Sequence, residues 1–248
     1  MRILIANDDG IDAPGLEMAA QAASRLSDDV WIVAPSAKRT AASSSLTIAA
    51  PVVMARVGAR RFSCSGTPAD CVVAAMAWLF ADGAKPDLVI GGVNDGRNVA
   101  EDLAYSGTLG IAREATFWGV PAIALSRVKK PNIRAGDVDW LAGLLGALWQ
   151  RRAAWALEAH WLSVNLPADL PAPLAQPMIG RDKIGREAEV VREQGDVVEL
   201  VFPRGRAHAS TPGDENAHID AGRATVSRLG WAGGTALDDA FVAALNAS

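Results

Sequence analysis

The chain is poor in the features that staple, anchor or charge a protein toward a polymer. Its 248 residues include only two cysteines, Cys64 and Cys71, seven positions apart. That is too few for a disulfide framework, and two buried thiols in a reducing compartment are the expectation. Three histidines, His160, His208 and His218, follow no recognised metal-ligand spacing and are expected at the surface or in packing. No apolar stretch approaches the roughly 18 residues of a membrane span. The opening Arg2-Ile3-Leu4-Ile5-Ala6 is broken at once by Asn7-Asp8-Asp9, which is too short for a signal peptide. A cytoplasmic protein that meets no membrane is therefore expected. The formal charge is −4 and no basic run exceeds three residues. A nucleic-acid polymer is excluded as partner, because backbone binding needs clustered Lys and Arg. No Gly-x-Gly-x-x-Gly follows the first apolar run and no Gly-Lys-Ser/Thr occurs, which removes dinucleotide and P-loop chemistry.

What is present suits a sizeable core: half the residues are hydrophobic and 21% are charged. With no repeat and no low-complexity linker, residues 1–248 read as one domain. The first 126 residues alternate apolar β-like runs with helical patterns, the signature of a mostly parallel sheet with helices on both faces. Strands are expected at Arg2–Ala6, Val30–Ala34, Asp87–Ile90 and Pro121–Leu125, with shorter runs at Leu46–Ala49, Val52–Ala55 and Arg61–Cys64. Helices are expected at Gly15–Leu26, Gly107–Trp118 and Asp137–Arg151. Another opens at Thr67 as N-cap, with Pro68 at the first helical position and Asp70 at the third, and runs to about Phe80. Further on, Trp161–Asn165 reads as a strand and Ala188–Phe202 as a hairpin turning at Gln194-Gly195-Asp196. Ala207–Asp220 reads as a polar loop and Ala236–Asn246 as a closing helix. The four prolines of Pro167–Pro177 mark where the sheet gives way to an appendage. Of the eight tryptophans, Trp140, Trp149, Trp155 and Trp161 cluster late, where burial or a subunit contact accounts for them.

Ligands of open α/β sheets collect outside the carboxyl ends of the strands. Three polar loops leave such ends: Asn7-Asp8-Asp9-Gly10, Ser36 to Thr47, and Gly91 to Thr108. Adjacent Asp8 and Asp9 repel unless a counter-charge is near, and a hard divalent cation with oxygen ligands supplies one; a plain Asx turn would use the same residues. Asn94 offers a neutral carbonyl oxygen. Ser106-Gly107-Thr108 opens a helix, where free N–H groups and hydroxyls suit a phosphate, or simply cap it. The second loop adds hydroxyls and the cations Lys38 and Arg39.

Asn7-Asp8-Asp9-Gly10, followed by Ala13-Pro14-Gly15, resembles the opening of the SurE (survival protein E) nucleotidases. The resemblance continues in order through Val33-Ala34-Pro35, Ser43–Thr47, Gly66-Thr67-Pro68-Ala69-Asp70-Cys71-Val72, Gly92-Val93-Asn94, Asn98 and Tyr105-Ser106-Gly107-Thr108. It covers roughly half the chain and is specific, while the C-terminal part matches loosely.

The resemblance implies a Rossmann-like α/β core with a β-hairpin extension, here about residues 185–230, exchanged between the subunits of a homodimer or homotetramer. It also implies a phosphomonoesterase that uses one divalent ion, Mg²⁺ or Mn²⁺, on nucleoside 5′- and 3′-monophosphates, and in some members on polyphosphate. By position, Asp8, Asp9 and Asn94 resemble the catalytic residues and metal ligands. Thr40, after Arg39, stands where the family has a ligand serine. Asn98, Ser106, Gly107 and Thr108 resemble the residues around the phosphate. Two further departures are Gly91, where a serine is usual, and Ser210–Leu229, where only Asp214 and Gly222 can be placed. These parts imply a metal-activated water as nucleophile, with Asp8 or Asp9 accepting its proton. A haloacid-dehalogenase-type phosphatase fails on spacing, since its second aspartate lies two positions after the first. A non-catalytic nucleotide and metal sensor on the same fold is the alternative of a different class.

Overall fold

The computed structural model describes residues 1–129, 132–181, 187–202 and 210–231. The closing helix expected at Ala236–Asn246, and His208, lie outside these.

Strand β1 (Arg2–Ala6) sits mid-sheet, and its side chains alternate between two cores. Ile3 and Ile5 enter one cluster, Leu4 and Ala6 the other, and all four are fully buried. A period of two along a strand covered on both faces dictates this split. On the first face lie α1 (Pro14–Ser24), with Leu16, Ala19 and Ala23, and α5 (Ala135–Gln150), with Val138, Leu141 and Leu145. On the second lie α2 (Pro68–Ala74), with Cys71 and Val72, and, after the single turn α3 (Asp102–Tyr105), α4 (Gly107–Phe117), with Leu109, Ile111 and Ala115. Burying each large aliphatic side chain contributes about 1.5–3 kcal/mol, so both clusters hold the helices firmly.

From β1 the chain winds outward through β2 (Asp29–Pro35) to the hairpin of β3 (Met54–Gly58) and β4 (Arg61–Cys64). It then returns past β1 to β5 (Leu88–Asp95), β6 (Ala122–Arg127) and β7 (His160–Leu166). The sheet is completed by β8 (Leu174–Ala175) and β11 (Ala224–Gly230), in the order β3-β4-β2-β1-β5-β6-β7-β11-β8. From β4 to β7 all neighbours are parallel; β3 and β11 pair antiparallel with β4 and β7. The winding direction reverses between β1 and β5, and the crevice beyond their carboxyl ends is the topological switch point of the sheet. Strands β9 (Glu189–Gln194) and β10 (Val197–Val201) form a separate antiparallel hairpin turning at Gly195, as the sequence predicts. Their side chains are exposed, including Val190, Val191, Val197, Val198, Leu200 and Val201.

The capping box at Thr67 forms as expected, Thr67 and Asp70 each accepting the other's backbone N–H. The helix continues past α2 as a π-helical turn over Ala75–Leu79. Three expectations need correction. Leu46–Ala49 is not a strand: Thr47 donates through its N–H and hydroxyl to the Asp70 carboxylate, at 2.9 and 2.6 Å, instead of pairing in the sheet. Within the expected loop Ala207–Asp220, Glu215–Asp220 forms a helix, α6, capped by Asp214, whose carboxylate accepts from Ala217 N–H at 2.8 Å. The proline-rich segment does not leave the sheet, because β8 pairs with β11 inside it.

Candidate functional site

At the switch point Asn7 builds the turn after β1. Its amide donates to the Gly10 carbonyl at 2.8 Å and accepts from Gly10 N–H at 3.2 Å, with Gly10 at φ +107°. This closed Asx turn fixes the direction of the two aspartates it carries. The segment Arg39–Thr40 is drawn onto the same turn, since Arg39 N–H donates to the Asp8 carbonyl at 2.7 Å. The Thr40 side chain is exposed.

Asp8 is almost wholly buried, and Oδ1 accepts from the Thr108 hydroxyl at 2.9 Å. Burial pushes its carboxyl above the ordinary aspartate range; the Thr108 hydrogen bond opposes that and the neighbouring Asp9 charge adds to it. Asp9 accepts from Asp95 N–H at 2.9 Å and forms an ion pair with Lys38, whose ammonium is held in its charged form chiefly by its own hydrogen bond to the Asp9 carboxylate. Lys38 was present in the sequence as one of two loop cations, but nothing in the pattern assigned it to Asp9.

The N-terminus of α4 is pressed against Asp8. A Cβ on Gly107 would lie 2.9 Å from both Asp8 Cβ and Pro68 Cγ, so only glycine allows this approach. Ser106 is the N-cap, its hydroxyl oxygen accepting from Leu109 N–H at 3.2 Å. The N–H groups of Gly107 and Thr108 belong to the helix's first turn, where no carbonyl of the helix itself reaches them. Behind this turn, a Cβ on Gly91 would lie 2.7 Å from the Thr108 carbonyl oxygen. The glycine that replaces the expected serine therefore lets α4 settle against β5.

Asn94 is the last residue but one of β5, and its side-chain amide donates to the Gly96 carbonyl at 2.8 Å, leaving the side-chain oxygen as its other polar atom. Asn98 sits in a buried polar group that the sequence reading did not find. Its backbone N–H donates to Asn165 Oδ1 at 2.8 Å, its side-chain amide to Ser126 Oγ at 2.8 Å, and its carbonyl accepts from Asn165 at 2.9 Å. Ser126 and Asn165 are polar residues near the carboxyl ends of otherwise apolar strands β6 and β7, and that was the available signal. Arg97 joins α6 to this loop, donating to Asn216 at 2.8 Å and Asp220 at 3.0 Å. His160 and His218 lie on β7 and α6, and of the two cysteines both are free and buried.

Among the described residues no group of three His, Cys, Asp or Glu side chains converges as a metal cage. The donors at the switch point are two carboxylates, Asp8 and Asp9; Asn94 and Thr40 are the chain neighbours of Asp95 and Arg39, whose backbone N–H groups donate to Asp9 and Asp8. That set fits a hard cation that keeps several of its waters, as Mg²⁺ does, and would not suit a soft metal.

A cleft of about 340 Å³ opens beside these residues, sharing Asp9 and Asn94 with them and lined also by Ala13, Pro14, Met18, Lys38, Val93, Val128, Lys129 and Ile133.

The Survival protein SurE family model matches residues 3–186. The 5′-nucleotidase SurE of Azorhizobium caulinodans is 37% identical over 241 residues, covering 92% of each chain. That of Caulobacter vibrioides is 40% identical over 195 residues, 78% of this chain and 70% of its own. The crystal structure of the SurE protein from Aquifex aeolicus superposes with a TM-score of 0.71 at 26% identity over 93% of each chain. On the match of the family model and of these relatives together, the chain belongs to the SurE family.

Proposed function

We propose that this protein is a divalent-metal-dependent nucleotidase that hydrolyses nucleoside 5′- and 3′-monophosphates to nucleoside and phosphate. The relatives' name, 5′-nucleotidase, supports the reaction class. The observation that carries the reading is the contact of Asp8 with the first turn of α4 through Thr108 and Gly107. It sets the Asp8 carboxylate, with Asp9 next to it in the chain, against a helix start that favours an anion, and either part alone would be a cap or a turn.

Asp8, Asp9, Asn94 and Thr40 are the residues that would hold the cation. When bound, a divalent ion offsets phosphate charge and makes hydroxide available near neutral pH. The N–H groups of Gly107 and Thr108, at the helix start, would donate to phosphoryl oxygens. Ser106 still has its hydroxyl proton to donate, and Asn98 keeps a second amide hydrogen after serving Ser126. These donors are fixed before substrate arrives, so they stabilise the charge that grows on the phosphoryl oxygens without reorganising. Asp8 or Asp9 takes the proton of the attacking water.

The exposed hairpin β9–β10 is read as an arm exchanged between subunits of a dimer or tetramer. Successive valines put apolar groups on both of its faces, and water is a poor partner for both.

Phosphate release from nucleoside 5′- and 3′-monophosphates, p-nitrophenyl phosphate and short polyphosphate, each with Mg²⁺, Mn²⁺ or EDTA, tests the reading. Metal-dependent release from nucleotides that EDTA abolishes is expected. Folded protein that binds nucleotide but releases no phosphate with either metal would make it a sensor instead.

A further inference from the structure

Helix α6 is held in place by polar bonds more than by apolar packing. Its buried residues are Glu215, Asn216 and Ile219, and its cap Asp214 is buried as well. Burying such polar groups is costly unless each finds a partner. Several partners lie in the loop that follows β5 and in the segment after β8. Arg97 Nη1 donates to Asn216 Oδ1 at 2.8 Å and to Asp220 Oδ1 at 3.0 Å. The Glu215 carboxylate accepts from Gly180 N–H at 2.6 Å, and the next residue, Arg181, donates to Glu101 at 3.2 Å. Burial pushes the Glu215 carboxyl above the ordinary glutamate range, and backbone hydrogen bonds from Gly180, from Glu215 itself and from Ala100 oppose the rise.

Ala100 sits at φ +51°, a left-handed conformation that a residue with a Cβ rarely adopts and keeps only where its surroundings enforce it. Two positions before it is Asn98, bonded to Ser126 on β6 and Asn165 on β7. The loop is thus fastened to the sheet through Asn98 and to α6 through its neighbours. We infer that Glu215 and Asn216 are positioning residues of the phosphate site: from α6 they hold residues 97–101 in the conformation in which Asn98 keeps its second amide hydrogen for a phosphoryl oxygen. The inference rests on the proposed reaction and gives the C-terminal segment a part in it. Neither residue is a catalytic one; both act through Arg97 and Ala100.

The test compares the full wild-type chain with Asn216→Leu and Glu215→Gln, which remove acceptors from α6, and with Asn216→Asp, which keeps one for Arg97. Amide hydrogen exchange of residues 97–101 is measured without metal. Binding of inorganic phosphate in the presence of Mg²⁺ is followed by calorimetry, and kcat and KM are measured for a nucleoside 5′-monophosphate. Asn216→Leu and Glu215→Gln should speed exchange in the loop about tenfold or more while the β1 amides stay protected. Phosphate affinity should fall and KM should rise, each about tenfold. Asn216→Asp should keep the wild-type values. A merely structural loss would lower the amount of active enzyme, and with it kcat, leaving phosphate affinity and KM where they are. Loop exchange, phosphate affinity and KM unchanged in Asn216→Leu and Glu215→Gln would overturn the inference while leaving the nucleotidase standing. Should either α6 variant fail to fold, Arg97→Met removes the contact from the loop side, and the same outcomes decide. Phosphate binding weakened in the variants, from a wild type that hydrolyses no nucleotide, would sustain the brace and overturn the reaction.

Discussion

The Thr108 hydroxyl donates to Asp8 Oδ1 at 2.9 Å across a hundred positions of sequence. It joins the first turn of α4 to the first loop of the chain, and both groups are buried. One hydrogen bond thus sets the carboxylate's orientation relative to the two N–H groups beside it.

Thr108→Val keeps the shape and removes that bond. Stability should fall by about 1 kcal/mol, the net worth of one hydrogen bond, measured by urea denaturation. Turnover should fall more steeply, by about tenfold or more, because a carboxylate free to rotate no longer holds the site geometry. Thr108→Ser should restore most of the rate. Equal loss in Val and Ser would mean that the methyl packing matters and the hydroxyl does not.

Gly107→Ala tests the close approach. Alanine is the better helix former, by about 1 kcal/mol, so a purely local view predicts a gain in stability. Its Cβ would stand 2.9 Å from Asp8 Cβ and Pro68 Cγ, and α4 or the Asp8 turn must shift. Phosphate release should drop by about tenfold or more, with the thermal midpoint unchanged or lower. A fully active Gly107→Ala would show that the approach is not needed.

Asp137 supplies a prediction about pH. It is 1% exposed and bonded to Arg127 and Arg134. Burial alone would raise its carboxyl, but hydrogen bonds from the Arg134 backbone and the two guanidiniums outweigh it and hold the group below the usual aspartate range. Its folded-state value lies beneath its unfolded one, so the stability it contributes is present above the ordinary aspartate value and disappears as pH falls through the lowered one. Asp137→Asn should cost about 3 kcal/mol near pH 7, because it leaves Arg127 buried without its counter-charge. The gap to wild type should narrow below about pH 4. A gap constant from pH 7 to pH 3 would refute this.

Elements with a strong local signal were legible in the sequence. β1 showed an unbroken apolar run, α2 a cap with proline and acid at fixed offsets, and α4 a cap followed by an apolar face. Leu46–Ala49 misled because its alternation looked like a strand, and the Asp70 carboxylate that captures Thr47 lies 23 residues on. α6 was missed because six mostly polar residues carry only Ile219 as a core anchor. At the site, the loops after β1 and β5 announced their residues by composition. The Lys38–Asp9 pair, the Ser126–Asn98–Asn165 group and the requirement for glycine at 91 did not, since each arises from segments that meet only in three dimensions.

Asp8 and Asp9 are the carboxylates on which metal binding and turnover would depend, and Asp8→Asn and Asp9→Asn isolate their charge at nearly constant volume. The measurement is phosphate release from a nucleoside 5′-monophosphate at saturating Mg²⁺ or Mn²⁺, with the thermal midpoint recorded with and without metal. Turnover in each variant should drop to about 1% of wild type or less, and the midpoint should no longer rise on adding metal. Without metal, Asp8→Asn should be at least as stable as wild type near neutral pH, because the buried carboxylate it removes is costly to ionise. Substantial release surviving either substitution at saturating metal would contradict the account.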